Sequence, residues 1–318
     1  MTSVPQPPLF NRLALIGVGL IGSSIARTAR EKGAVGSIVA TARSAATRKR
    51  VVELGIADEV VETNAQAVVG ADLVIVCIPV GACGPVAKEI GPHLAPGATV
   101  SDVGSVKASV FNEMAPHLPA GVHFVPAHPV AGTEYSGPDS GFATLFVNRW
   151  CILTPPPDAD SQAVERLKKF WQALGANVET MTAEHHDLVL AVTSHLPHLI
   201  AYTIVGTADE LAQVTRSEVL QFSAGGFRDF TRIAASDPTM WRDVFLANKH
   251  AVLEMLGRFN EDVGRLTRAI RNGDGDALFD HFTRTRAIRK GIVSIGQDSS
   301  VPDFGRPHPD LPTGPEAK

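Results

Sequence analysis

Cysteine is scarce. The 318 residues include three, Cys77, Cys83 and Cys151, and none belongs to a CxxC pair. An odd count without such a pair excludes a zinc knuckle and a disulfide framework, and it reads as a protein of a reducing compartment, the cytoplasm. Charge is also low: Asp, Glu, Lys and Arg make up 19%, against about 25% in an average globular protein. Either the surface is thinly charged or a partner subunit covers part of it. Positive charge is not in excess, because 29 Lys and Arg face 33 Asp and Glu for a net charge of −4. That excludes nucleic acid as the main partner, since a phosphate backbone calls for a basic face. Hydrophobic residues, at 44%, are too frequent for a disordered chain. The first residues lack a positive n-region, and the first apolar run is broken by Gly17, Gly19 and Gly22. Neither a signal peptide nor a membrane span is expected there, and no repeat of solenoid period is visible. One run, Leu188 to Ala208, has no charged residue at all. It is long enough to cross a bilayer, yet it holds Ser194, His195, Pro197, His198 and Tyr202, which are costly in lipid. The expectation is a helix buried between protein surfaces, with no membrane partner.

At roughly 150 residues per domain the length suggests two domains. Short apolar runs at Arg12–Ile16, Ser37–Thr41, Leu73–Ile78, Thr99–Asp102, His123–Pro126 and Trp150–Leu153 read as strands. Helical stretches at Ile21–Lys32 and Ala45–Leu54 lie between them. This alternation predicts βαβ units and a parallel sheet, an α/β fold. After Pro155-Pro156-Pro157 comes a helix over Ala163–Leu174 and a last edge strand over Asn177–Met181. Beyond that every segment reads as helical: Glu184–Ala208, Leu211–Val219, Pro238–Ile270 and Asp274–Ser294. The predicted boundaries are residues 1–183, 184–296 and a proline-rich tail, 297–318.

Gly17-Val18-Gly19-Leu20-Ile21-Gly22 follows the first strand and opens a helix. In a GxGxxG loop the first glycine makes the tight turn. The second lets a pyrophosphate approach the backbone, and the third lets helix and strand pack closely. The pyrophosphate then meets the positive end of the helix. A site for NAD usually carries a carboxylate about twenty residues further on, to hold the ribose hydroxyls. Here the second strand ends in Ala42-Arg43-Ser44. Arg43, helped by Ser44, suits a 2′-phosphate, which favours NADP over NAD. A solvated arginine at a strand end is the competing reading.

Two more polar segments follow strands, Ser101-Asp102-Val103-Gly104-Ser105-Val106-Lys107 and His128-Pro129-Val130-Ala131-Gly132-Thr133-Glu134. In an open parallel sheet ligands lie beyond the carboxyl ends of the strands, so both segments point toward the glycine loop. Pro129 keeps His128 extended, and an imidazole suits proton transfer near neutral pH. In the helical half, Thr193-Ser194-His195-Leu196-Pro197-His198 puts a proline inside an apolar helix, where a kink is expected. The two histidines share a face, but no further ligand pair stands nearby and no metal is expected. Ser223-Ala224-Gly225-Gly226-Phe227-Arg228-Asp229-Phe230-Thr231-Arg232 reads as a glycine-hinged loop whose arginines suit an anionic substrate. A helix-end pair of Asp229 with Arg232 is the plainer alternative.

Taken together, GVGLIGSS, DVGSVK, HPVAGTE, TSHLPH and GGFRDFTRIAASDPTMWRD resemble the prephenate/arogenate dehydrogenase family, the cyclohexadienyl dehydrogenases of tyrosine biosynthesis. The resemblance runs from about Arg12 to Gly296. It implies an N-terminal Rossmann dinucleotide-binding domain and a C-terminal all-helical dimerisation domain, in a homodimer. It implies that His128 accepts the proton of the ring 4-hydroxyl and that Ser105 helps hold that hydroxyl near the nicotinamide. Arg232 is implied to bind a substrate carboxylate. His198, Thr133, Glu134, Gly225, Asp229 and Trp241 are implied to line or gate the pocket. The cofactor set comprises Gly17, Gly19, Leu20, Ile21, Gly22, Ala42, Arg43, Ser44, Pro79 and Ser105. Prephenate or arogenate is the implied substrate, and tyrosine enters as a product or as an inhibitor of the same pocket. With no chorismate mutase segment before the loop and a tail too short for an ACT domain, the single-function form is expected. Two alternatives stay open. A β-hydroxyacid dehydrogenase shares this plan but uses a helix-borne lysine, and no such motif surrounds Lys168, Lys169 or Lys249. A non-catalytic NADP-sensing protein would keep the loop without needing His128 and Arg232.

Overall fold

The computed structural model describes residues 7–133, 135–221 and 225–294, with 211–221 and 292–294 as backbone alone. The proline-rich tail, Glu134, Ser223 and Ala224 lie outside the described residues. The chain opens as an alternation: β1 (Phe10–Ile16), α1 (Leu20–Glu31), β2 (Val35–Thr41), α2 (Ala45–Leu54), β3 (Glu59–Val61) and α3 (Asn64–Val68). It continues with β4 (Leu73–Val76), α4 (Cys83–Ile90), β5 (Thr99–Asp102), α5 (Ala108–Met114) and β6 (His123–Phe124). These six strands form one parallel sheet in the order β3-β2-β1-β4-β5-β6. The order reverses beside β1, which opens a crevice at the carboxyl ends of β1 and β4.

Both faces of this sheet are covered, which is why β4 and β5 are buried at every position. Side chains alternate along each strand. Leu13, Leu15, Ile38, Leu73 and Ile75 face one core, completed by Ile25 and Ala29 of α1. Ala14, Ile16, Val39, Val74, Val76 and Val100 face the other, completed by Ala87 and Ile90 of α4 and by Val110 and Met114 of α5. Two of the outer helices start on side-chain caps. Ser44 caps α2, and Thr63 with Gln66 forms a capping box on α3.

The sheet departs from the single one predicted. After β6 the chain turns into β7 (Ala127–Pro129), which pairs antiparallel with β8 (Trp150–Leu153). The helix α6 (Ser161–Ala173) then leads to β9 (Asn177–Thr180), parallel to β8. The segment expected at the edge of the main sheet therefore closes a separate three-stranded one. His128 lies within β7 rather than in a loop after a strand. The strand β3 and the helices α3, α4 and α5 were not read from the sequence. They are short, from three to eight residues, too few to establish a period over the windows that pattern reading needs.

The helical half also differs in detail. The continuous helix expected over Glu184–Ala208 is α7 (Ala183–Leu190), a π turn at Ala191–His195, and α8 (Leu196–Gln221). Pro197 withdraws a helical donor and crowds the preceding turn, and the added residue of the π turn lies immediately before it. Further on come α9 (Gly225–Thr231), α10 (Pro238–Ala247), α11 (Lys249–Asn272) and α12 (Gly275–Ser294). The predicted helix over Pro238–Ile270 breaks at Asn248, where φ is −107° and ψ 29°. The run Ala183–Glu210 is long and apolar enough to cross a membrane. Yet it contains the buried residues His186, Asp187 and His195, each of which makes a side-chain hydrogen bond within the protein.

The chain divides into two compact units, one through Gly257 and the other from Arg258. The second unit carries the end of α11 and α12, joined by a turn at Gly273 (φ +67°) and capped by the Asp274 carboxylate, which accepts the Ala277 N–H at 3.0 Å.

Within the first unit, one buried ion pair ties β7 to the main sheet. The Lys107 ammonium donates to the Asp102 carboxylate, and both side chains are fully buried. Lys107 Nζ also donates to the Ala127 carbonyl at 2.7 Å, and Asp102 Oδ1 accepts the Ala127 N–H at 3.3 Å. Removing one partner of such a pair leaves an uncompensated buried charge, at a cost of about 3–5 kcal/mol. Lys107→Met keeps most of the stem and removes the charge. Chemical denaturation should show a loss of that size, and a loss under about 1 kcal/mol would mean the pair is not a structural anchor.

Candidate active site

The register of the parallel sheet brings four strand ends to one edge. Ile16 pairs with Thr41 and with Val76, and Val76 pairs with Asp102. The loops that leave these residues are the glycine loop, Ala42-Arg43-Ser44, the Cys77–Pro79 turn and the Val103–Lys107 turn. Gly17 has φ +90°, and a Cβ there would lie 2.4 Å from the Cys77 carbonyl oxygen. A Cβ on Gly22 would lie 2.3 Å from the Gly17 carbonyl oxygen. These two glycines are demanded by the fold itself. Gly19 is different, because nothing lies within 4 Å of its added Cβ. It is the N-cap of α1, has no side-chain cap, and the first turn holds no acidic residue. The backbone N–H groups of Leu20, Ile21 and Gly22 thus head a twelve-residue helix whose positive end faces open space. This fits the pyrophosphate of a dinucleotide.

At the end of β2, Ala42 is buried and Arg43 and Ser44 are exposed. The Ser44 hydroxyl accepts the Thr47 N–H at 3.0 Å and pairs with Thr47 Oγ1 at 2.7 Å, so it is engaged in capping α2. Arg48 donates to the carbonyls of Ala42 (2.8 Å) and Arg43 (3.2 Å). Two guanidinium groups, on Arg43 and Arg48, therefore stand at this strand end where a carboxylate is missing. Pro79 is exposed and leads the turn after β4.

His128 is 8% exposed. Its Nδ1 lies 2.9 Å from Nε2 of His186, whose Nδ1 lies 2.8 Å from Asp187 Oδ1. Asp187 also accepts the backbone N–H groups of Lys107 (2.7 Å) and Ala108 (3.0 Å), and so caps α5 from another helix. Burial, reinforced by His186, Lys107 and His195, holds His128 well below the usual imidazole range. His186 is lowered too, by burial, against the pull of Asp187. Burial brings His195 down to about 4. The site therefore holds neutral imidazoles at physiological pH, able to accept a proton.

The π turn sets His195 inside, with no exposed surface. Asn248, at the break between α10 and α11, donates through Nδ2 to the Asp187 carbonyl at 2.8 Å and lies 3.1 Å from His195 Nδ1. Among the described residues His195 Nε2 has no hydrogen-bond partner, and neither has the buried indole N–H of Trp241. His198 stacks on Trp241, with ring centroids 3.6 Å apart. Burial lowers its pKa, helped in that direction by the Arg232 charge nearby. Arg232 opens the short helical turn Arg232–Ala235. That turn is tied to α8 by the Tyr202 hydroxyl, which donates to the Ser236 carbonyl at 2.8 Å.

The fold thus gathers His128 with the Ser105 turn through Lys107, and gathers His198, Trp241 and Arg232 with one another. Thr133 is exposed, and its hydroxyl accepts the Tyr135 N–H at 3.3 Å. Gly225 starts α9, and an added Cβ there would lie 3.7 Å from Asp229 Oδ2. Lys107, His186, Asp187, His195 and Asn248 were not singled out for a role from the sequence. One signal did exist: Glu184-His185-His186-Asp187 packs polar residues into the start of an otherwise apolar helix.

An open glycine turn over a helix N-terminus, together with a buried neutral histidine on a strand tied to the end of β5, defines a dinucleotide-dependent oxidoreductase. Residues 25–180 match the family model of the prephenate dehydrogenase nucleotide-binding domain, and residues 182–284 match that of the prephenate dehydrogenase dimerization domain. The chain is 42% identical over 284 residues to a cyclohexadienyl dehydrogenase of Zymomonas mobilis, covering 89% of this chain and 97% of the relative. It is 33% identical over 309 residues to a prephenate dehydrogenase of Bacillus subtilis, covering 95% and 81%. Among solved structures, the prephenate dehydrogenase of A. aeolicus in complex with hydroxyphenyl propionate and NAD+ superposes with a TM-score of 0.83 at 33% identity, covering 92% of this chain and all of that one. An arogenate dehydrogenase of Synechocystis superposes with a TM-score of 0.74 at 26% identity, covering 88% and 99%. The chain belongs to the prephenate dehydrogenase family.

The two inner glycines of the loop make separable predictions. Gly22→Ala should lower folding stability by about 1–3 kcal/mol, the usual cost of overpacking. Gly19→Ala should leave the thermal midpoint of the free protein unchanged and weaken dinucleotide binding at least tenfold by calorimetry. Equal instability in both variants would remove the assignment of Gly19 to the ligand.

Proposed function

We infer that the protein oxidatively decarboxylates prephenate, arogenate or both, giving 4-hydroxyphenylpyruvate or tyrosine. The observation that carries this reading is His128, a buried imidazole kept neutral on β7, next to the Ala127 that Lys107 and Asp102 tie to the end of β5. A bound nicotinamide dinucleotide supplies the hydride acceptor. The substrate carries a ring hydroxyl at C4 and a carboxylate on the opposite ring carbon. As hydride leaves C4 and the carboxylate departs as carbon dioxide, the ring becomes aromatic, and this drives the reaction. His128 takes the hydroxyl proton and returns it to the phenolate oxygen, so no net proton is released. Ser105, at the end of β5, helps hold the hydroxyl. Arg232 pairs with a substrate carboxylate, close to His198 and its Trp241 platform. Thr133, Glu134, Gly225 and Asp229 line or gate the same pocket. Burial at this site excludes water and favours loss of the carboxylate, whose charge disperses on the way to carbon dioxide. Gly17, Gly19, Leu20, Ile21 and Gly22 receive the pyrophosphate.

NADP is the favoured cofactor. The support is Arg43 and Arg48 at the end of β2, where a carboxylate would otherwise repel a 2′-phosphate. Ser44 belongs to this loop as the cap of α2. The working form is a homodimer built on the helical half, with the division of labour falling near residue 183. Its support is the matching dimerization-domain model and the large apolar side chains left uncovered in a single chain. Leu246 and Leu253 are more than 60% exposed in one unit, and Ile270 and Phe279 almost 70% in the other. This homodimer also accounts for the low charge content, and a cytoplasmic enzyme with reduced cysteines fits the whole.

Both substrates assayed against both cofactors test the function. Reduction of NAD(P) should appear with at least one pair, and none with any pair would end the reading. His128→Asn should lower kcat by about 10²–10⁴-fold, the range for a lost general base, with dinucleotide affinity unchanged. Activity near that of the unaltered enzyme would remove His128 from the chemistry. Ala42→Asp should shift the ratio of kcat/KM values toward NAD, and an unchanged ratio would separate this loop from the ribose.

A further inference from the structure

A neutral imidazole has one nitrogen that donates and one that accepts, and a base needs the accepting one turned to its substrate. The hydrogen bonds around Asp187 decide which is which. We propose that Asp187 sets the protons of two active-site histidines in opposite senses: through His186 it leaves His128 with a bare Nε2, and through Asn248 it leaves His195 with Nε2–H. His186 and Asn248 are then positioning residues. The proposal deepens the reading of His128 as the base and rests on it.

The first chain of inference starts from the Asp187 carboxylate. An ionised carboxylate only accepts. Its Oδ1 takes the Lys107 N–H at 2.7 Å and its Oδ2 the Ala108 N–H at 3.0 Å. His186 Nδ1, 2.8 Å from Oδ1, must therefore be the protonated nitrogen. In a neutral ring this makes Nε2 the acceptor. His186 Nε2 lies 2.9 Å from His128 Nδ1, which must in turn donate. The free lone pair of His128 is left on Nε2. The two rings stand at 71°, with centroids 5.1 Å apart, so the contact is edge-on. Burial keeps both rings in the neutral form this assignment requires.

The second chain starts from the main-chain carbonyl of the same residue. It accepts from Asn248 Nδ2 at 2.8 Å, which fixes the orientation of that amide. The same Nδ2 faces His195 Nδ1 at 3.1 Å and can only donate. Nδ1 of His195 is thus the acceptor, and the proton sits on Nε2. That nitrogen is buried and has no hydrogen-bond partner among the described residues. The Ser105 backbone lies against this ring and favours its charged form. One residue thereby leaves an acceptor on one ring and a donor on the other, the second ring lying against the Ser105 backbone. A hydroxyl undergoing oxidation needs both, since its proton must be accepted and its oxygen held.

The test is nitrogen NMR of the full chain labelled with ¹⁵N-histidine near pH 7.5, with His128, His186 and His195 assigned by the signals lost in H128N, H186Q and H195N. The expected result is an unprotonated Nε2 in His128 and an unprotonated Nδ1 in His195. The opposite tautomer in either ring, or averaging between tautomers, overturns the proposal. Kinetics give a second readout. His186→Gln offers an amide oxygen in place of the accepting nitrogen and should keep kcat within about tenfold. His186→Leu offers no acceptor and should lower kcat by about 10²-fold, the low end for general base catalysis, with KM little changed. Equal losses in the two variants would reduce His186 to a packing role and overturn it. If the leucine variant does not fold, the spectrum of the unaltered protein decides alone. Full activity in His128→Asn would defeat the assignment of the base, while the tautomers would still be read from the spectrum.

Discussion

The buried pairing of Lys107 with Asp102 is the constraint on which the rest of the site depends. A parallel sheet can present a cofactor loop, but it does not by itself place a base opposite that loop. Lys107 bridges the gap by holding the end of β5 to the Ala127 carbonyl, one residue before His128. Its own backbone N–H is held by Asp187, and so the first helical element beyond the sheets is drawn to the same point. Three parts of the chain, at β5, β7 and α7, converge on one residue, whose side-chain charge is cancelled on site. An ion pair of this kind adds little net stability over apolar packing. Its value here is geometric, because a misplaced base loses rate steeply with small displacements.

Much of this was legible in the sequence. Glycine spacing after an apolar strand gives the nucleotide loop because its demands are local: Gly17 and Gly22 are required by contacts within a few residues or on the adjacent strand. His128 was legible because Pro129 and the neighbouring strand end restrict it. The second sheet was not, since the pairing of β7 with β8 joins residues more than twenty apart and leaves no period in either strand. Nor was the division of the long helix at Ala191–His195. A π turn has no compositional signature beyond the nearby proline, and a proline equally permits a kink. Lys107 was quoted within a motif, yet its role depends on burial, which one sequence does not display.

The helices supply polarity in a different way from the sheet. The sheet edge offers backbone donors in a helix N-terminus and two guanidinium groups, one exposed and one half-buried. The helical half offers rings: His198 against Trp241, His195 against Asn248, His186 against Asp187. Rings carry few rotatable bonds, so ordering them costs less entropy than ordering flexible chains. A pocket built from them is rigid before its substrate arrives, which is how positioning contributes to rate.

Keeping these imidazoles uncharged also couples folding to acidity. A histidine whose pKa is lower in the folded chain than in the unfolded one binds fewer protons when folded. Stability that is full above the unfolded value, near 6.5, drains away as the pH falls toward the folded one, about 4 for His195. His128, His186 and His198 are lowered in the same direction and add to the effect. The packing that keeps these imidazoles neutral thus makes the folded state less stable as the solution turns acid.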